Sequence, residues 1–152
     1  MNAARRIERD ARPEQLPALL EFIERACAGA DLPEDVAFAV RLAAEEACTN
    51  VIRHGYRGVT PGPVTVGIAH DASRVVVTIE DRGSPFDPAD APPPSLDAPA
   101  EDRPLGGLGW HLIRQVMDEV HHVHDARTGN RLTLVKRIPS PALPLALPLR
   151  SR

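Results

Sequence analysis

At 152 residues the chain has the length of one ordinary domain, enough to bury a core without staples. With 43% hydrophobic and 26% charged residues it has a globular composition, and a formal charge of -3 leaves no basic footprint for DNA or an anionic membrane. One Trp, one Tyr and three Phe leave the core to Ala, Val, Leu and Ile and give little for stacking on single-stranded nucleic acid.

The opening stretch MNAARRIERDARPEQ lacks the apolar segment of a secretory signal, and no run is long enough to span a bilayer. A cytoplasmic protein is therefore expected, with neither membrane nor direct nucleic-acid contact. Cys27 and Cys48 lack metal-ligand spacing and read as reduced, packed thiols. Leu16, Leu19, Leu20, Ile23, Ala26 and Cys27 recur at helical spacing and predict a helix from about Glu14 to Ala28, with Pro17 in its first turn. A second helix is expected to start near Pro33, to carry Val36, Val40, Ala43, Ala47 and Val51 on one stripe, and to end at Gly55.

Alternation of Val64, Val66 and Ile68, then of Val75, Val77 and Ile79, across the polar turn His70 to Ser73 predicts a hairpin. From Ser84 to Pro104 the chain is dense in proline and poor in apolar residues, so a mobile loop of functional length is expected, a lid at about 85–104. Helical spacing resumes at Leu108, Leu112, Val116 and Val120. Strands at Glu119–His124 and Arg131–Ile138 follow, joined by a turn at Gly129-Asn130. Beyond Pro139 the sequence PSPALPLALPLRSR reads as a disordered or loosely docked tail, leaving residues 1–138 as the domain and 139–152 as its appendage. The order helix, helix, hairpin, helix, hairpin gives an α+β two-layer sandwich, a mixed and mostly antiparallel sheet with helices on one face.

Three places carry chemistry. At about 100° per residue, Asn50 falls at the edge of the second helix's apolar stripe and Glu46 lies on the same side, whereas Glu45 points away. Glu46 and Asn50 are either a surface i,i+4 pair or a carboxylate and carboxamide set together for acid/base work and for an oxygen ligand to Mg²⁺. Spacing alone does not choose. Asp81 shares the inward parity of Val75, Val77 and Ile79, so its carboxylate needs either local caps or a ligand donor, and Gly83 leaves a gap for a flat ligand. Gly106-Gly107-Leu108-Gly109 opens a helix, which offers free N–H groups to phosphate or is a plain linker. His122 and His124 share one strand face with Asp125 next in line, a weak metal constellation against a partly exposed strand.

Taken in order, EEACTNVIRHGY, VVVTIEDRGSPFDP and RPLGGLGWHLIRQVMDEV resemble the three boxes of the ATPase (GHKL) superfamily of gyrase, the ninety-kilodalton heat-shock chaperone, histidine kinases and mismatch-repair ATPases. Within it the chain is most similar to the anti-sigma-factor serine kinases, over roughly residues 5 to 138. The resemblance implies a histidine-kinase-like ATPase fold, ATP and Mg²⁺, Asn50 as a magnesium ligand and Glu46 as a base or as the group that polarises the nucleophile. It implies that Asp81 accepts from the adenine amine, that Gly83 admits adenine, and that Gly107 and Gly109, with Gly106 and Leu108 beside them, meet the phosphates. Arg53 and His54 lie close by, and His54 reads equally as a packed core histidine. The pattern departs from the family where Ser84-Pro85-Phe86 replaces the second glycine of the adenine box, and where the basic residue before the phosphate glycines is displaced to Arg103. Thr133 is the nearest counterpart of a threonine that assists adenine binding in the family.

Two functions follow as expectations. One is a serine kinase that sequesters a sigma factor and phosphorylates an anti-anti-sigma partner, with a homodimer as a further family expectation. The other is an ATP-binding interaction switch without phosphoryl transfer, motivated by the altered glycine box. A detached histidine-kinase catalytic domain ranks below both, since 152 residues leave no room for a phosphoacceptor helix pair.

Overall fold

The computed structural model describes residues 1–86 and 107–140. The elements run β1 (Arg5–Asp10), α1 (Leu16–Gly29), α2 (Glu34–Asn50), β2 (Pro63–His70), β3 (Arg74–Asp81), α3 (Gly107–Val116), β4 (Glu119–Asp125) and β5 (Gly129–Arg137). The strands form one sheet in the order β1-β2-β3-β5-β4, with every neighbouring pair antiparallel. This is the expected α+β two-layer sandwich, but the sheet is antiparallel throughout rather than mixed, and it has one strand more than the sequence suggested.

That strand is β1. RRIERD offers a single apolar side chain, half-buried Ile7, so it shows no alternation to read. It is recruited by backbone pairing to β2, and its charges suit an exposed sheet edge. The helices begin and end for local reasons. Pro13–Gln15 form a 3₁₀ turn ahead of α1, and Pro17 sits in the first turn as expected, where a missing N–H costs nothing. Pro33 stands just outside α2 in extended conformation, and its carbonyl accepts the first helical bond from Ala37. The third helix stops at Val116, one turn short of the periodic pattern, because the Asp118 N–H turns to the Val135 carbonyl and starts β4.

Core residues come from one face of each layer. Val64, Val66, Val75, Val77, Ile79, Leu132 and Leu134 project from the sheet, and Leu19, Ile23, Val40, Ala43, Ala47 and Ile113 meet them from the helices. The alanines of α2 let that helix lie close to the strands, and its last turn is carried over the sheet end where β3 stops.

Two expectations fall outside the described residues: the lid at about 85–104, apart from Pro85 and Phe86, and the tail beyond Ser140. Among the described residues no helix is long and apolar enough to cross a membrane.

Both thiols are free and buried, as the sequence suggested. Burial pushes Cys48 up to about 12, and burial with the nearby Glu24 charge pushes Cys27 up to about 11. Since the thiolate is the nucleophile, the native chain should alkylate at least about 10²-fold more slowly than the unfolded chain at mildly alkaline pH. Mass spectrometry after timed iodoacetamide quenching checks this; equal rates would contradict the packing described.

Candidate functional site

After Asn50 the second helix does not end but widens into a single π-helical turn, Val51–Gly55. Such turns place an extra residue in the helix and occur often at functional sites. Here the turn carries half-buried His54 into the wall of a cavity of about 140 Å³. Arg53 remains exposed, near enough to Glu46 for its charge to be felt there.

The cavity lies between the end of α2, the start of α3 and the ends of β3, β4 and β5. Asn50, His54, Asp81, Phe86, Trp110 and Asn130 are among its walls. Trp110 is buried and stacks on Phe86 at 5.4 Å between ring centroids with 19° between planes. These flat apolar walls, together with Ile79 and Leu132, suit a planar ligand.

Asp81 is the polar centre of this wall, only 8% exposed. Its Oδ1 accepts from the Gly83 N–H at 2.8 Å and from Asn130 Nδ2 at 3.1 Å. Of the two alternatives raised by the sequence, local capping is present: both described bonds fall on Oδ1, and Oδ2 accepts none among the described residues.

The role expected of Gly83 needs correcting. A Cβ there would lie 2.1 Å from the Gly55 carbonyl oxygen, and the Ser84 N–H donates to that same oxygen at 2.8 Å. The space beside Gly83 is filled by the π-turn backbone, so this glycine docks α2 onto β3 and makes no opening for a ligand. Tyr56 strengthens the joint, donating to the Pro63 carbonyl and accepting from the Arg82 N–H, both at 2.7 Å.

Glu46 and Asn50 meet α3 at Gly109. A Cβ on Gly109 would stand 2.8 Å from Glu46 Oε2, which would have to shift, and 3.6 Å from Asn50 Nδ2, so the helix start lies close beside both side chains. The Asn50 Nδ2 is buried without a hydrogen-bond partner among the described residues. Such an amide could donate to an anion or, with the amide turned, offer its oxygen to a cation. Burial pushes the Glu46 carboxyl above its ordinary value, the Glu45 charge adds to this, and Arg53 opposes it. Glu45 itself faces Arg41, which also pairs with Glu24 of α1.

Burial and the neighbouring Arg57 and Arg53 charges hold His54 below its ordinary value, so it is a neutral wall group, its Nδ1 3.2 Å from Arg57. A packed histidine describes it better than a cationic phosphate ligand. Thr133 is a second correction. It pairs with Thr78 and His121 in the sheet register, on the face opposite Leu132 and Leu134, and therefore points away from the cavity. Arg103 and Gly106 lie outside the described residues, and so does the Leu108 side chain; Gly107 is the first described residue of α3.

Asn130 was missed, having been read as a turn residue. It is 6% exposed and shares the inward parity of Leu132 and Leu134, the signal that could have found it. His122 was weighed only as a metal ligand or a solvated residue, yet it lines the cavity. Among the described residues no group of three or more His, Cys, Asp and Glu is placed to hold a metal ion.

A family profile described as Histidine kinase-like ATPase domain matches residues 10–136. The chain belongs to this family of ATPase domains. It is 31% identical over 90 residues to the serine-protein kinase RsbW of Bacillus cereus, covering 57% of this chain and 56% of that relative, and 30% identical over 90 residues to RsbW of Bacillus anthracis. The chain thus matches just over half the length of these relatives. Its fold is shared with the crystal structure of the RsbU and RsbW domains of Rv1364c from Mycobacterium tuberculosis, at a TM-score of 0.66 and 20% identity, over 93% of this chain and 34% of that one.

Replacing Gly83 by Ala should force the π-turn off β3 and cost on the order of 1–3 kcal/mol, whereas Gly29→Ala, with open space around it, should be close to neutral. Urea unfolding of both variants checks the pair; a Gly83→Ala chain as stable as the wild type would refute the docking role.

Proposed function

We propose that the chain binds ATP with Mg²⁺ and is an anti-sigma regulatory kinase that sequesters a sigma factor and phosphorylates a serine of an anti-anti-sigma partner. The observation that supports this most is the meeting of Glu46, orphaned Asn50 and the glycine-bearing start of α3 at one end of a flat apolar cavity with Asp81 in its wall. Its relatives named as serine-protein kinases support the reaction class.

In this reading Asp81 Oδ2 accepts from the exocyclic amine of adenine, and Phe86 and Trp110 border the base. The α3 start receives the phosphates through its free N–H groups. Asn50, with its oxygen turned inward, is the residue that would hold Mg²⁺, and one protein ligand suffices because this ion keeps water and phosphate oxygens for the rest. When bound, Mg²⁺ neutralises charge on the phosphate oxygens. Glu46 takes the proton of the acceptor serine as its oxygen bonds to the γ-phosphorus and the bond to the ADP oxygen breaks. A raised carboxyl pKa suits a base better than an ordinary one. The proposal includes a cytoplasmic setting and a homodimer, for which the sheet face bearing Thr78 and Thr133, opposite the helices, leaves room.

Asp81→Asn should weaken ATP binding by on the order of 1–3 kcal/mol in calorimetry; unchanged affinity in a folded variant would remove the adenine assignment.

Glu46→Ala should leave ATP affinity within a few-fold and slow single-turnover transfer by about 10²- to 10⁴-fold, while Asn50→Ala should impair both. Because the ionised form of Glu46 is the base, the wild-type rate should fall as pH drops through a value above the ordinary carboxylate range. Tight ATP binding with no transfer to any bound partner would replace the kinase by an ATP-binding interaction switch.

A further inference from the structure

His122 and His124 lie on β4 with the same inward parity, directly across from Leu132 and Asn130. Their rings converge on one atom: His122 Nε2 is 3.1 Å and His124 Nδ1 is 3.2 Å from Asn130 Oδ1. A carboxamide oxygen only accepts hydrogen bonds, so each of these nitrogens must carry a hydrogen. On the other side, Asn130 Nδ2 faces acceptors alone, Asp81 Oδ1 at 3.1 Å, the Ser84 carbonyl at 2.9 Å and the Gly83 carbonyl at 3.4 Å. Turning the amide over would set its oxygen against a carboxylate and two carbonyls, so the Asp81, Gly83 and Ser84 acceptors fix the orientation of the amide, and the histidine tautomers follow from it.

We propose that His122 and His124 are positioning residues that anchor the Asn130 amide with its NH₂ on Asp81, and so make the cavity prefer a base with an exocyclic amine over one with an exocyclic carbonyl. The base preference rests on the nucleotide reading above; the array does not. Asn130 and Asp81 both line the cavity. While the NH₂ is held on Asp81 and Ser84, Asp81 presents a ligand with Oδ2 as an acceptor, which attracts an amine and repels a carbonyl oxygen. Without its histidine anchors the Asn130 oxygen is a buried acceptor with nothing to accept from. The side chain is then free to swing, and its NH₂ can serve a carbonyl on the base.

Two measurements on the full chain test this. Nitrogen-15 NMR of labelled histidine, without nucleotide and at mildly alkaline pH, should show His122 protonated at Nε2 and His124 at Nδ1; the opposite tautomers at both rings would overturn the array. The ratio of ATP to ITP affinity, which compares an exocyclic amine with a carbonyl at the same ring position, should fall about tenfold in H122L/H124L, roughly one hydrogen bond's worth. It should be largely restored in H122Q/H124N, whose side-chain amides can donate again. A ratio unchanged in a folded leucine variant overturns the positioning role, as does a ratio that amide donors fail to raise. If the wild type binds neither nucleotide, the function proposed above fails and takes the base preference with it, whereas the tautomers still decide the array.

Discussion

The Gly55 carbonyl oxygen accepts the Ser84 N–H and lies where any side chain on Gly83 would have to be. Through that contact the end of α2 and the end of β3 are locked together backbone to backbone, closer than side chains would allow. Asn50 and His54 belong to the first of these segments and Asp81 to the second, so a shared cavity exists only because the two meet. The π-turn serves the same joint: an added residue lets the helix reach the Gly55 position while keeping Ala43, Ala44 and Ala47 packed in the core. Tyr56 then bridges from the helix end to the backbones of β2 and β3.

Around this joint the polar groups divide into two populations. Asp81, Asn130, His122 and His124 form a connected array in which the inward oxygens and nitrogens of the strands answer one another. Asn50 is the opposite case, a buried amide whose NH₂ has no partner among the described residues. Burying an unpaired donor is costly, so this amide stands out from the connected array at the opposite end of the cavity.

Charge is arranged with similar economy. Glu45 and Glu46 are neighbours in sequence with opposite surroundings: Glu45 faces Arg41, which also pairs with Glu24, while Glu46 sits against Gly109, where the Arg53 charge favours its ionised form. Burial and the Glu45 charge outweigh Arg53 there. His54 is likewise driven toward its neutral form by burial and two arginines.

Period and parity made much of this legible before any coordinates. The stripe on α2 placed Glu46 and Asn50 on one side, alternation along β3 turned Asp81 inward, and the glycines opening α3 marked a helix start, because these are properties of single elements. The edge strand β1 was illegible because its pairing comes from β2 and not from its own pattern. The exclusion of Thr133 was readable from its parity opposite Leu132 and Leu134 on β5, whereas three features belong to tertiary structure alone. The use of Gly83 for packing depends on where Gly55 arrives from another element. The histidines of β4 became meaningful only opposite Asn130. The π-turn changed the projection of His54, since a regular helical period cannot anticipate a residue inserted to satisfy a contact across the core.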